Sequence, residues 1–162
     1  MPALRLVPSD RETGVRAAEH RALRLWLRLL TCSQLIERHV RSRLRSRFGI
    51  TLPRFDLMSQ LERHAAGLKM NELSRLMMVT GGNITGIVDQ LVKEGLVERV
   101  DDAADRRAWR VRLTRAGDKA FAEMARTHEE WVVDLLSGLS RRDSDALMQL
   151  LARLKQVTLA KS

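Results

Sequence analysis

The spacing of apolar residues changes at Gly95 from a helical period to an alternating one, which restricts the folds open to the chain. Before Gly95, apolar side chains recur every three or four residues and predict a helix from Asn83 to Glu94. After it, residues 96–100 and 109–113 predict two strands joined by a polar, charged loop. The apolar positions of the helix are Ile84, Ile87, Val88 and Leu91. The chain therefore combines helices with one β-hairpin.

Further helices are predicted on both sides of this unit. The helical period extends over residues 17–48, from about 53 to 64, and over 71–77, 115–139 and 141–159. Asn71, Thr114 and Ser140 are the expected N-caps of the last three, and Gly49 is the expected stop of the first. The order of short helix, tight turn, second helix and hairpin predicts a winged helix-turn-helix in a mainly α chain with a small β-hairpin.

The first helix is too apolar for one small domain to bury it completely. Leu23, Trp26, Leu27 and Leu30 lie along one stretch of it, and a partner chain is the expected cover. We accordingly predict three regions in the 162 residues. Residues 1–16 form a flexible basic tail, residues 17–50 and 115–162 form a helical dimerisation region, and residues 51–114 form the DNA-binding lobe.

The positive charge of the chain is unevenly distributed. The net charge is +9, and residues 1–54 hold 12 arginines, no lysine and four acids, a local balance of +8. Five arginines without an acid among them follow in a second stretch: Arg106, Arg107, Arg110, Arg112 and Arg115. A basic chain favours polyanionic partners, nucleic acid first and an anionic membrane surface second, with a solvated basic surface as the alternative.

Several other classes of function find no support in the sequence. The four histidines are scattered without metal-ligand spacing, and no nucleophile–base signature or phosphate-binding glycine loop is present. We therefore predict no cofactor, no metal and no enzymatic activity. No apolar run is long enough for a membrane span and the N-terminus lacks the pattern of a secretory signal, so the predicted location is the cytoplasm.

The second helix of the helix-turn-helix offers a polar face suited to the major groove of DNA. Asn can pair with adenine, Thr can contact a thymine methyl or a phosphate, and Lys can reach the backbone. Glycines cost about 1 kcal/mol each in a helix but allow close approach to a phosphate or base; shaping of the turn is the alternative for the first two, Gly81 and Gly82. The candidate DNA-binding residues are Asn71, Thr80, Gly82, Asn83, Thr85, Gly86, Gln90 and Lys93.

The loop of the hairpin supplies the second candidate contact. Arg106 and Arg107 lie at its tip, and an arginine on a projecting loop can enter the minor groove, where negative potential is focused. Asp105 is expected to orient a neighbouring arginine through a charge-assisted hydrogen bond. An ordinary solvated turn is the alternative for this loop taken by itself.

The stretch from Leu73 to Gly117 resembles the MarR family of transcription regulators. The resemblance rests on LVKEGLVER at 91–99, on DRR at 105–107 and on LTRAG at 113–117, in this order and spacing. It implies a homodimer whose terminal helices interlock and whose two recognition helices and wings read a pseudo-palindromic operator, usually as a repressor. The chain departs from the family pattern at Gly86, where many relatives carry an arginine, so Asn83 and Thr85 would carry more of the readout.

The resemblance also implies a small-molecule effector bound between the dimerisation helices and the DNA-binding lobe. The candidate ligand-binding residues are Trp26, His39, Arg43, Phe48, Phe55 and Met58, for which plain core packing is the alternative. Similarity to regulators of aromatic-acid breakdown suggests an aromatic carboxylate or its CoA thioester. Cys32 is expected to be a buried packing residue, and an oxidation sensor, as in some members of the family, is the alternative. A nonspecific architectural DNA binder and a protein-interaction module remain the competing classes.

Overall fold

A computed structural model describes residues 21–77, 83–103 and 108–161 of the chain. These residues form helices α1 (Arg21–Phe48), α2 (Leu52–Glu62), α3 (Met70–Leu76), α4 (Ile84–Lys93), α5 (Arg115–Leu136) and α6 (Arg141–Leu159). Strands β1 (Val97–Asp101) and β2 (Trp109–Leu113) pair as an antiparallel hairpin. The predicted class, mainly α with a small β-hairpin in a winged helix-turn-helix, is confirmed. The predicted tail, residues 1–16, lies outside the described residues.

Gly49 and Pro53 determine where α1 ends and where α2 begins, because their backbones have unusual conformational preferences. Gly49 has φ +64°, and its N–H donates to the Arg45 carbonyl over 3.1 Å, which ends α1 as predicted. Pro53 occupies the first turn of α2, where no hydrogen bond from its nitrogen is needed. Signals within a few residues of the chain therefore fix the break between α1 and α2. Helix α2 ends at Glu62, two residues before its predicted end at His64.

The predicted N-cap of α3 is wrong. Lys69, not Asn71, is the capping residue, with an extended backbone at φ −69° and ψ 155°. The Glu72 carboxylate accepts from the Lys69 N–H over 2.8 Å and supplies the cap that the lysine side chain cannot. Asn71 lies in the first turn, where its Oδ1 accepts from the N–H of Glu72. Lys69 Nζ also lies 3.4 Å from the buried Asp102 carboxylate, so a segment distant in sequence contacts the residue that precedes α3.

The hairpin pairs Val97 with Leu113 and Asp101 with Trp109. A bridge between Leu68 and Val111 adds a third extended segment beside β2, which the alternation pattern did not predict. Gly67 has φ +83°, and a Cβ there would lie 2.9 Å from the Val111 carbonyl oxygen. A glycine is therefore needed at this close approach of the α2–α3 connection to the hairpin.

The described residues divide into two compact units, with the boundary between Ala125 and Arg126. The core of the first unit brings together apolar side chains from α1, α2, α3, α4 and the hairpin. The largest fully buried side chains are Leu44, Leu57, Met58, Leu61, Leu73, Val88, Leu91, Val97 and Val111. Residues spaced by three or four along the helices and by two along the hairpin thus meet in one core, as their periods predict.

The second unit consists of the end of α5, a turn and α6. Ser140 caps α6 as predicted, because its Oγ accepts from the Asp143 N–H over 3.1 Å. The Asp143 carboxylate accepts from the Ser140 hydroxyl rather than from its backbone, so the capping box is only half formed. No residue of α6 is buried. Within the described residues, no helix is both long and apolar enough to cross a membrane.

Candidate nucleic-acid interface

Helix α4 has one buried face and one exposed face. Val88 and Leu91 are fully buried and Ile84 and Ile87 are half-buried, as their spacing predicts. The opposite face is exposed and carries predicted DNA-binding residues: Asn83, Thr85, Gly86, Gln90 and Lys93. Asn71 is exposed in α3, whereas Thr80 and Gly82 lie outside the described residues. The helix therefore presents a polar surface while its apolar side anchors it to the core.

Asn83 is the N-cap of α4. Its Oδ1 accepts from the Gly86 N–H over 3.3 Å, which leaves the side-chain NH2 group as its means of donating to another molecule. A Cβ at Gly86 would meet only Asn83, at 3.6–3.9 Å, which is ordinary contact. Packing within the described residues thus gives no reason for a glycine at this position.

The loop end of the hairpin is held by a buried carboxylate that the sequence patterns did not indicate. Asp102 is 3% exposed, and its Oδ2 accepts from Arg110 Nε over 2.8 Å and lies 3.4 Å from Lys69 Nζ. Arg110 Nη1 also donates to the Gly67 carbonyl over 2.8 Å. Asp102 therefore connects β2 to the segment that enters α3, and charge-assisted hydrogen bonds make this connection specific.

A second link joins the hairpin to α4. Arg99, on β1, forms an ion pair with Asp89 on the exposed side of α4. Its guanidinium carbon lies 4.2 Å from the centre of the Trp109 ring on β2, within cation–π range. This link gives Asp89 a partner within the chain, and it relates the orientation of the hairpin to that of the helix.

The two arginines of β2 are both paired with acids of the same hairpin. Arg112 Nε donates to Glu98 over 2.7 Å across the hairpin, and Arg110 is engaged by Asp102. Both positive charges are therefore offset by acids on or next to β1, which the sequence does not place opposite them until the register is known. Asp105, Arg106 and Arg107, the predicted tip contacts, lie outside the described residues.

The six candidate ligand-binding residues occupy different environments. Phe55 and Met58 are 8% and 0% exposed and belong to the core, where Phe55 packs on Phe121 at 5.4 Å between ring centres. Trp26 and His39 are exposed on α1, and Arg43 is half-buried. Phe48 lines a cavity of about 340 Å³ at the end of α1, and the other five candidates do not line this cavity.

Cys32 does not have the predicted environment. The side chain is exposed on α1 instead of buried, because the surrounding stretch of the helix is not covered by other described residues. The apolar neighbours that suggested burial, Leu35 and Ile36, are themselves 46% and 38% exposed.

Comparison with known proteins shows which family this arrangement resembles. Residues 48–108 match the sequence profile of the MarR family. A MarR family transcriptional regulator from Silicibacter pomeroyi has a TM-score of 0.74 and 29% identity, with 91% of this chain and 100% of that chain covered. The chain resembles the MarR family over residues 48–108 and in its fold. The predicted resemblance is thereby confirmed, and the family and fold are those of transcription regulators rather than enzymes.

Two further proteins are similar to this chain. The transcriptional activatory protein BadR of Rhodopseudomonas palustris is 29% identical over 106 residues, which cover 64% of this chain and 60% of that protein. The chain spans less than two thirds of the curated relatives that it matches. A mutant MarR from E. coli, solved in complex with operator DNA, shares the fold, with TM-score 0.71, 24% identity, and 86% and 99% of the two chains covered.

Proposed function

We propose that this protein is a sequence-specific DNA-binding transcription regulator that inserts α4 into the major groove. The observation that carries the proposal is the division of α4 into a buried apolar face and an exposed face bearing Asn83, Thr85 and Gln90. Amide and hydroxyl groups near the start of a helix are suited to reading base edges. The MarR mutant that shares the fold was solved in complex with operator DNA, which supports the same use of the fold here.

We further propose that the protein acts as a homodimer on a pseudo-palindromic site. In the first unit, α1 exposes Leu23 at 45%, Leu25 at 54% and Trp26 at 57%. In the second unit, α6 exposes most of its apolar side chains: Leu147, Met148, Leu150, Leu151, Leu154, Val157 and Leu159. Apolar surface of this extent is typical of protein interfaces, and a second copy that covers it would set two α4 helices at two half-sites.

A binding titration against the DNA upstream of the protein's own gene tests the function. We expect tight binding that persists in nonspecific competitor, weakens with added salt and involves two chains per site. A genome-wide selection of bound DNA fragments would find binding sites that lie far from the protein's own gene. Equal affinity for all sequences would instead indicate the nonspecific architectural binder, and negligible affinity at low salt would indicate a protein-interaction module.

The substitution Arg107→Ala tests the proposed contact of the wing tip. We expect it to weaken operator binding by about 1–3 kcal/mol, because an arginine in the minor groove would be lost. Arg112→Ala is the matched control on the same hairpin, since the charge of Arg112 is already offset by Glu98. If a fluorescence anisotropy titration gave equal operator affinity for the Arg107 variant and the unchanged protein, the tip of the hairpin would have a structural role and no DNA contact.

The substitution Gly86→Ala tests whether Gly86 serves DNA binding by α4 or the stability of that helix. Alanine favours a helix by up to about 1 kcal/mol over glycine, and the new methyl group meets only Asn83 at ordinary distances. We therefore expect a slightly higher unfolding midpoint together with at least about ten-fold weaker operator binding, because the methyl group would hold the backbone away from DNA. Undiminished operator affinity would show that Gly86 does not approach DNA closely.

The proposed function also includes a class of small-molecule effector, and it leads to a test of whether the protein represses or activates transcription. An aromatic carboxylate or its CoA thioester is the proposed effector class, and thermal-shift measurements with both forms would test it. Stabilisation by neither form would remove this class. The curated relative BadR is named an activatory protein, so a reporter fused to the bound promoter is needed to distinguish repression from activation.

A further inference from the structure

Trp109 is an exposed aromatic residue at the loop end of the hairpin. It forms the last pair of the ladder before the loop, with Asp101, and it is 41% exposed. Trp109, Val111 and Leu113 alternate along β2 and therefore share one face, on which Val111 and Leu113 are buried. The face of the hairpin that packs on the core thus continues past the edge of the core and ends in an exposed indole.

The indole ring is held in place by Arg99. The guanidinium carbon of Arg99 lies 4.2 Å from the ring centre, and the same guanidinium pairs with Asp89 on the exposed face of α4. Trp109 therefore lies on the side of the hairpin that faces α4. Its indole N–H donates to none of the described residues, so this group retains its capacity to donate to another molecule.

The charges next to Trp109 favour an uncharged contact at this place. The Asp89 side chain is 57% exposed, and an unpaired carboxylate on this face of α4 would repel the phosphates of DNA. Arg99 offsets the charge of Asp89, so the pair as a whole is neutral. Trp109 adds a neutral N–H donor, which a phosphate oxygen can accept, and an apolar ring of the kind that packs against a sugar.

We propose that Trp109 contacts the sugar–phosphate backbone of the operator, with its N–H donating to a phosphate oxygen and its ring packing on a deoxyribose. This inference rests on the proposed function, in which α4 enters the major groove and the arginines of the loop enter the adjacent minor groove. One strand of the backbone separates these two grooves, so it crosses between α4 and the loop end of the hairpin. Trp109 lies at this crossing.

Titrations of the full chain with operator DNA and with an unrelated duplex test the contact. We expect Trp109→Ala to weaken binding to both duplexes by the same factor, about ten-fold, because a backbone contact positions the protein without reading sequence. The dependence of affinity on the logarithm of the salt concentration should keep its slope, because an indole carries no charge and displaces no counterion. Arg107→Ala should by contrast reduce this slope by about one.

Two further variants separate the donor from the ring and from the hairpin as a whole. Trp109→Phe keeps a ring for Arg99 to pack on but removes the N–H, so we expect a smaller loss, about three-fold, on both duplexes. Arg112→Ala, on the same strand and already offset by Glu98, is the matched control and should retain both affinities. Thermal unfolding of each variant establishes that it is folded at the temperature of the titration.

Hydroxyl-radical footprinting read by mass spectrometry measures the same contact in the unchanged protein. The exposed indole should be oxidised readily in the free protein and should lose most of this oxidation when operator DNA is bound. Because the measurement needs no variant, it decides the question even if Trp109→Ala fails to fold.

Three results would overturn the proposal. The first is equal affinity of the folded Trp109→Ala variant and the unchanged protein for both duplexes. The second is a loss confined to the operator, which would make Trp109 a reader of bases, and the third is undiminished oxidation of Trp109 in the complex. All three require a protein that binds DNA. Failure of the unchanged protein to bind either duplex at low salt would instead reject the proposed function itself, and the contact with it.

Discussion

The substitution Gly117→Ala is expected to destabilise the first unit by about 3 kcal/mol or more, although alanine is the better helix former. A Cβ at this position would lie 1.9 Å from the Leu96 carbonyl oxygen and 3.3 Å from Leu113 Cδ2. The Leu96 carbonyl cannot move away freely, because it accepts from the Thr114 N–H over 3.0 Å. The methyl group would therefore force α5 away from the hairpin.

Urea unfolding followed by far-UV circular dichroism measures this effect. Gly138→Ala is the matched control, since a Cβ there meets nothing within 4 Å of the described residues, and we expect it to leave the free energy of unfolding nearly unchanged. We also expect operator binding to fall with Gly117→Ala at temperatures where the variant remains folded. A Gly117 variant as stable as the unchanged protein would mean that α5 does not approach β1 this closely.

The substitution Asp102→Asn is expected to cost about 2–3 kcal/mol of stability. It removes the buried carboxylate that offsets Arg110 and Lys69, whose side chains are 31% and 32% exposed. Loss of a fully buried partner costs more, about 3–5 kcal/mol, but the partial exposure of the two cations lets water take up part of their charge. The loop end of the hairpin should loosen, because Arg110 also donates to the Gly67 carbonyl.

Asp101→Asn provides a close control for this effect. Asp101 is the preceding residue and is exposed, so we expect its substitution to change the unfolding free energy by less than about 0.5 kcal/mol. Hydrogen exchange of the β1 and β2 amides should accelerate for the Asp102 variant and not for the Asp101 variant. Similar unfolding midpoints for the two variants would contradict the structural role assigned to the buried carboxylate.

The sequence by itself determined the positions of most helices and of the hairpin. Periods of apolar residues and terminal signals such as Gly49, Pro53, Asn83 and Ser140 act within a few residues of the chain, so they can be read without the fold. The same locality explains why the exposed polar face of α4 was predicted correctly. It also explains the error at α3, where Asn71 carries a local cap signal but Lys69 begins the helix.

Only the tertiary structure decided which charges are paired and which small residues are indispensable. Arg99, Arg110 and Arg112 look like a basic surface in sequence, but their acidic partners lie ten, eight and fourteen residues away and meet them through the folded hairpin. Gly117 and the cavity at Phe48 depend on the approach of α5, β1 and α2 to one another. Such contacts arise from packing between distant segments, and no local period or cap encodes them.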